Sequence, residues 1–510
     1  MFEYPVSRRL ARPTLRLVTV AAIAALSTPL AAQQADAPPA GILPPSQLPS
    51  QPMAAPQTTP ALRTATTVPS LPALTSTQAT QLWGIVHGGG YSHGLRFRER
   101  ADVAAPVDQE ALIRAALDYA KAVHAGRLET SDFIEDWGLR PTAYDPLPAL
   151  AEAIRNDRLA AWAGSLAPPY AGYDALRAGL ANYRALLTKG GWSALPAGPD
   201  LSVGATGPRV AALRKRLAVE DPQVVATGAS FDAELKAAVQ RAQRRYGLNP
   251  TGTVSKGTLG ALNVPAEARV RQIMANMERW RWLPKEMEKN RVQVNIAAAV
   301  LTLFDGDTPV MSMKGVTGRP GDETPMLQSS IHSIVINPPW NVPMGIAQRE
   351  LFPKGPAYLA RNGFKVIPLE GGGKRLQQQA GDQSALGRFK FDFDNPYAVY
   401  LHDTPAQAKF ASYDRLASHG CVRLEKPAAL AEQLLRADPK WQTPEIQQAV
   451  ATGKTQRVKL PEQVAVYLLY WTGYASTNGT MNFRADPYSW DKLLADKIEG
   501  RSAAQAVAMK

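Results

Sequence analysis

From about residue 107 to 193, apolar side chains recur every three or four positions. They run through Leu112, Ile113, Ala116, Leu117 and Tyr119, then Leu150 and Ile154, then Leu176, Leu180, Tyr183 and Leu186. That 3.6-residue period predicts amphipathic helices, and Gly190-Gly191 ends the last of them. With no chemical pattern in it, the span 81–193 is expected to be a scaffold of packed helices. Residues 195–265 form a shorter unit. Val210, Leu213 and Leu217 share one helical face. Asp232 is placed to cap a second helix, whose buried face is Leu235, Val239, Ala242 and Tyr246 and whose end is Gly247. A third runs from Lys256 to Leu262. A connecting helix is predicted within 266–289, from Val270 to Trp282.

The period then falls to two. Val292, Val294 and Ile296 alternate with polar residues, as do Phe389, Phe391 and Phe393. Apolar runs flank Asp305-Gly306, a hairpin signal, and two later runs flank Asn478-Gly479. Ser330 to Ile336, Ala398 to Leu401 and Val464 to Thr472 read as further strands. Residues 290–490 are therefore expected to be a β-rich domain, interrupted at about 344–388 by an insertion with helical and Gly-rich parts. Residues 491–510 read as a C-terminal tail. The fold class is multidomain α+β, and 510 residues exceed what one core usually holds.

Composition locates the chain. Residues 1–16 hold Arg8, Arg9, Arg12 and Arg16 against Glu3, followed by an apolar stretch from Leu17 to Leu26 and small residues to Ala32. This is the pattern of an export signal over 1–32, with cleavage after Ala32 or Ala37. An uncleaved anchor is the alternative, although the stretch is short for a membrane span. With no cysteine after the apolar stretch, a lipid-anchored lipoprotein is excluded. Residues 33–80, rich in Pro, Ala, Gln and Thr, bury too little surface to offset ordering entropy and read as a disordered spacer. The formal charge is +13, and the signal accounts for three of these charges, leaving +10. A basic exported protein suits polyanionic surroundings such as a cell wall. No nucleic-acid motif appears. His87 and His93 have no third ligand nearby, so no metal site is expected.

The chain has one cysteine, Cys421, in the run Ser418-His419-Gly420-Cys421-Val422-Arg423. A lone thiol in an oxidising compartment forms no internal disulfide and is open to oxidation. Beside a glycine and near histidines it reads as a nucleophile. A thiol pKa near ~8.5 leaves little thiolate at neutral pH, so a base is needed. His402 and His419 are the candidates; neighbours on a tight loop seldom aim at each other, which favours His402. Gly420 lets substrate approach the backbone closely, so that the amides of Gly420 and Cys421 can face a developing oxyanion. Arg423, two residues past Cys421, would share its side of an extended segment. There it would bind a substrate carboxylate or form a structural ion pair. Tyr400 is either an added hydroxyl donor or a core tyrosine. Trp340 lines an acyl pocket or packs the core. Ser418 is expected to hydrogen-bond within the motif.

The span 290–490 resembles the L,D-transpeptidase catalytic domain, of the YkuD type. The whole chain after residue 80 resembles the large YcbB-like branch that adds a scaffold and a peptidoglycan-binding domain. The residues that carry this are His402, the fifteen-residue gap and the run from Ser418 to Arg423. Thr324-Pro325, Pro338-Pro339-Trp340-Asn341-Val342-Pro343, the run from Ala385 to Phe391 and the run from Tyr400 to Pro405 add to it. Residues 195–265 resemble the three-helix peptidoglycan-binding module, with Thr206 where Asp is frequent. Ala380 and Ser384 depart from the usual Pro and Asn. The resemblance implies that Cys421 is the nucleophile and His402 the proton donor and acceptor. A backbone carbonyl orients the imidazole in relatives, which makes Asp403 the orienting position, its carboxylate being the alternative. Gly420 supplies an oxyanion-hole amide, and Tyr400, Trp340, Ser418, His419 and Arg423 line the substrate site.

The implied reaction forms 3→3 cross-links from a tetrapeptide donor through a thioester, with no metal or organic cofactor. The implied partners are peptidoglycan stem peptides, glycan and wall-synthesis enzymes, and the implied setting is the periplasm, with the protein as a monomer. Hydrolysis by an L,D-carboxypeptidase, attachment of a wall protein, and a non-catalytic wall-binding scaffold are the alternatives. A papain-like protease is disfavoured, because there the cysteine precedes the histidine.

Overall fold

The structure, a computed structural model, describes residues 71–98 and 108–508, with side chains to residue 502. The expected signal and most of the spacer lie outside the described residues. Helix α1 (Ser76–Ser92) begins inside the stretch whose composition suggested a spacer. Local chemistry explains the start. The Thr75 side chain accepts from the Gln78 amide while Gln78 reaches back to the Thr75 amide, a reciprocal cap. Leu74 and Leu82 are buried beside it. Helices α2 (Gln109–Ala125), α3 (Leu147–Arg155), α4 (Leu159–Leu166) and α5 (Ala171–Thr188) complete the helical layer. His93 is spent structurally, its Nδ1 lying 2.9 Å from the Tyr173 hydroxyl.

Helices α6 (Pro208–Ala218), α7 (Ala233–Arg245) and α8 (Lys256–Leu262) make the second unit. The Asp232 carboxylate accepts from the Leu235 amide at 2.8 Å and starts α7. This unit is docked firmly. Tyr246 and Tyr183 both pack on Phe483 of the third unit. The buried Glu220 carboxylate takes Arg216 at 2.7 Å and the Tyr183 hydroxyl at 2.5 Å. Helix α9 (Ala266–Arg281) follows and buries 13 of its 16 residues. It runs between α5 and the C-terminal helix and carries charges into the interior. Each named charge is paired there: Arg281 with Glu278 at 2.6 Å and Arg279 with Asp491 at 2.5 Å. Removing one partner of such a pair costs about 3–5 kcal/mol.

The β-rich unit contains β1 (Asn290–Asn295), β2 (Val300–Asp305), β3 (Thr308–Gly318) and β4 (Leu327–Ile336). The insertion follows, with β5 (Trp340–Asn341), α10 (Met344–Ile346), a π turn (Ala347–Leu351), α11 (Gly355–Arg361), β6 (Phe364–Pro368) and β7 (Lys374–Gln378). Strands β8 (Phe389–Phe393), β9 (Leu401–His402), β10 (Leu416–Ser418) and β11 (Val422–Leu424) return to the sheet. The chain ends with α12 (Pro427–Leu435), α13 (Thr443–Ala451), β12 (Gln456–Leu469), the short pair β13 (Gly473–Ala475) and β14 (Met481–Phe483), and α14 (Trp490–Ala508). The C-terminal segment is helical to Ala508. The reason is packing: Trp490, Leu494 and Ile498 are buried, and Asp491 pairs with Arg279.

Among the described residues nine strands form one sheet, in the order β10-β3-β11-β9-β8-β4-β12-β1-β2. Because β2 also pairs with β3, the sheet curls back on itself. Phe389, Phe391 and Phe393 all point to the core, and burying each contributes about 1.5–3 kcal/mol. The scaffold reaches this sheet directly. Trp137 bridges Met326 in parallel, the Leu139 amide donates to the Met326 carbonyl at 3.0 Å, and the Met326 amide donates to the Asp136 carbonyl at 2.8 Å. Gly138 permits this approach, since a Cβ there would meet the Tyr397 hydroxyl at 2.5 Å.

Candidate active site

Strand register assembles the site. Strand β11 lies parallel to β9 with Val422 opposite Leu401 and Arg423 opposite His402. Side chains alternate across a strand. Leu401 and Val422, 0% and 1% exposed, therefore face the core, while Tyr400, His402, Cys421 and Arg423 share the other face. Lys390 of β8 joins them, opposite His402.

The nucleophile loop is clamped from several sides. Gly420 has φ 101°, a conformation that favours glycine, and a Cβ there would meet the Glu323 carbonyl at 3.2 Å. The Thr324 hydroxyl donates to the Gly420 carbonyl at 2.7 Å and accepts from the Gly318 amide at 2.8 Å. The Ser418 hydroxyl donates to the Cys421 carbonyl at 2.5 Å, and the Val422 amide to the Tyr400 carbonyl at 3.1 Å. Ser418 is 1% exposed. Its one donor is spent inside the loop.

The His402 ring places Nδ1 2.5 Å from the Asp403 carbonyl oxygen. The Asp403 carboxylate is turned away and accepts from the Arg388 and Thr404 amides, both at 2.7 Å. A proton on Nδ1 satisfies that carbonyl and leaves Nε2 as the lone-pair nitrogen. Burial pushes the His402 pKa down to about 3, helped by the Arg423 and Lys390 charges and opposed by the Asp403 carbonyl. Burial raises the Cys421 thiol, partly offset by Tyr400 and by the Lys390 and Arg423 cations. Both shifts favour the neutral forms. The cause is the same for both groups: the pocket desolvates the charged forms of thiol and imidazole alike.

Burial holds the Tyr400 pKa well above that of a free phenol, and the Cys421 thiol raises it further. Its ring takes the Lys390 ammonium 4.3 Å from the centroid. Burial lowers the Arg423 pKa, and among the described residues no carboxylate pairs with that guanidinium. Trp340 lies in β5, where the insertion starts, partly exposed and interacting with the Tyr400 hydroxyl. His419 points elsewhere: its Nε2 lies 3.0 Å from Glu350 of the insertion and 3.1 Å from Arg319. The sequence assigned no role in the site to Lys390, Thr324 or Glu350. Lys390 had a legible signal, since it alternates with Phe389 and Phe391. The other two act through contacts about 70 residues or more along the chain.

Comparison with known proteins adds three family matches. The L,D-transpeptidase catalytic domain covers residues 289–457, the scaffold domain 95–180, and a domain described as "Putative peptidoglycan binding domain" 206–262. Residues 289–457 are an L,D-transpeptidase catalytic domain.

A protein of Haemophilus influenzae named "Putative L,D-transpeptidase" is 30% identical over 249 residues, 45% of this chain and 50% of that protein. The chain therefore spans about half the length of this curated relative. Two solved L,D-transpeptidase structures also match. That of Stackebrandtia nassauensis is 15% identical, covers 54% of this chain and 97% of its own, and has a TM-score of 0.22. That of Xylanimonas cellulosilytica is 17% identical, covers 54% and 99%, and has a TM-score of 0.17. A likeness at such TM-scores carries no weight for chemistry or substrate. Helical scaffold, peptidoglycan-binding unit and transpeptidase domain succeed one another as the resemblance implied.

Proposed function

We propose that the transpeptidase domain forms 3→3 peptidoglycan cross-links through a thioester at Cys421. The observation that supports this best is the shared face of Cys421, His402, Tyr400 and Arg423, with Nε2 of His402 left as the free base. The donor is a tetrapeptide stem. Its third residue, diaminopimelate, presents a carbonyl to Sγ. His402 Nε2 takes the thiol proton as sulfur bonds to that carbon. The amides of Gly420 and Cys421 bind the oxyanion, and losing one such donor typically costs about 10²–10³ in rate. The carbon–nitrogen bond to the terminal D-Ala breaks, and His402 returns the proton to the leaving amine. The side-chain amine of a second stem then attacks the thioester, giving its proton to His402. Sulfur leaves and takes that proton back. Arg423 holds a stem carboxylate beside the reacting centre.

The peptidoglycan-binding unit supports the wall as the partner, and a periplasmic setting follows from that substrate. Among the described residues no helix is long and apolar enough to cross a membrane. The test is the mass of products from purified muropeptides. A dimer of two stems, absent with Cys421→Ala, is expected. Trimmed tripeptide alone would make the protein an L,D-carboxypeptidase. Dimers that persist with Cys421→Ala would overturn the role given to the thiol.

A further inference from the structure

A cleft of about 550 Å³ opens between the scaffold and the catalytic sheet, lined by Arg140, Gln328, Ser330, His332, Asp394 and Gln463 among others. Its volume suits a small organic ligand, and it lies apart from the nucleophile loop. One wall is the scaffold segment that pairs with Met326, so the cleft exists only because scaffold and sheet are joined. The opposite wall is the start of β4.

Register fixes its relation to the nucleophile. Ile331 pairs with Phe393 on the core face, so Ser330 and Gln328 fall on the face that carries His402 and Cys421. Cys421 and Asp394 both lie at the end of the sheet where β8 turns back toward β9. From β11 to β4 the sheet takes three strand steps, about 14 Å at the usual strand spacing. The segment between them is continuous. Thr324 holds the Gly420 carbonyl, and two residues on Met326 holds Leu139.

The lining chemistry is polar and nearly balanced in charge. Arg140 is one cation and Asp394 one anion, with His332 Nε2 3.5 Å from the Asp394 carboxylate. The Gln328 and Gln463 amides, the Ser330 hydroxyl and the Arg140 guanidinium make no hydrogen bond or ion pair among the described residues. Neutral amide and hydroxyl donors and acceptors suit a ligand with the same groups rather than a polyanion. Three stem residues, extended, span about 10 Å. The lactyl unit that joins the stem to its sugar adds about one more residue length, for about 14 Å in all, so a stem acylated at its third residue places its sugar-bearing end at the distance of this cleft.

We propose that the cleft is a saccharide subsite, holding the amino sugar from which the donor stem hangs. This rests on the proposed function for the identity of the stem, while the cleft itself is testable without turnover. The double variant Arg140→Ala/Gln328→Ala changes two exposed side chains outside the catalytic machinery. With disaccharide-tetrapeptide as donor, KM should rise about tenfold while kcat holds. With the sugar-free tetrapeptide, both constants should match those of the unaltered protein. Equal losses on both donors, or no change on either, overturn the subsite. Calorimetric titration of Cys421→Ala protein with the peptide-free disaccharide should show binding that the same two substitutions abolish. Absence of that binding also overturns the subsite, whatever products the active protein makes.

Discussion

The nucleophile loop and the insertion meet at the same site but are held in opposite ways. Around Cys421 the hydrogen bonds come from Thr324 in the segment before β4, from Ser418 of β10 and from the Tyr400 carbonyl before β9, and the side chains join the main core. The insertion keeps a small core of its own, Val342, Ala347, Leu351, Leu359, Phe364 and Leu376. One polar tie from it to the nucleophile motif is the Glu350–His419 contact, with both side chains half-buried. A reacting atom needs its partners fixed to within a fraction of an ångström. A small separate core opens at lower cost than the main one.

The largest break expected is chemical. His402→Ala should lower the acylation of Cys421 by a carbapenem about 10²–10⁴-fold, followed by intact-protein mass against time. The same residue couples to pH. Its folded pKa is depressed to about 3, so between roughly pH 3 and 6.5 the unfolded chain binds a proton that the folded one does not. Stability should be lost as pH falls through that window, and urea midpoints of the His402→Gln variant should fall less over it.

Next in size is the insertion's own core. Leu376→Ala should cost about 2–5 kcal/mol locally. Amide exchange in 355–378 should quicken while exchange around 418–424 stays slow. Equal quickening in both would erase the contrast. Thr324→Val leaves the Gly420 carbonyl and the Gly318 amide without their shared partner. That should cost about 1–3 kcal/mol and be visible as a lower urea midpoint with slower acylation. Smallest is Glu350→Gln. A half-buried pair of this kind contributes about 0.2–1 kcal/mol, so kcat/KM with muropeptide should change at most severalfold. A loss as large as that of His402→Ala would mean the insertion belongs to the chemistry.

Legibility in the sequence tracked the range of the contact. The alternating phenylalanines of β8, the cap at Asp232 and the turn at Asp305-Gly306 are local, and their elements stand where the pattern put them. The position of Cys421 two residues before Arg423 already implied a shared face. The closure of β2 on β3, the Trp137–Met326 bridge and the Glu350–His419 contact join residues that no period relates. Helix α14 is a different case. Trp490, Leu494 and Ile498 do repeat at helical spacing, but a place at the chain end suggests a tail. The shifts of the Cys421 thiol and the His402 imidazole depend on desolvation, which a linear sequence does not display.

Helix α9 was expected to be a connector, and instead it is buried on nearly every side, with its charges matched by residues from both halves of the chain. Among the described residues there is no seam at this helix, where a domain map would draw one. A cut after α9, ahead of the transpeptidase domain, would separate Arg279 from Asp491 and leave each without its partner. A fragment beginning at 290 would lose the pillar on which its own sheet stands, so this transpeptidase domain is expected to work only as the intact chain.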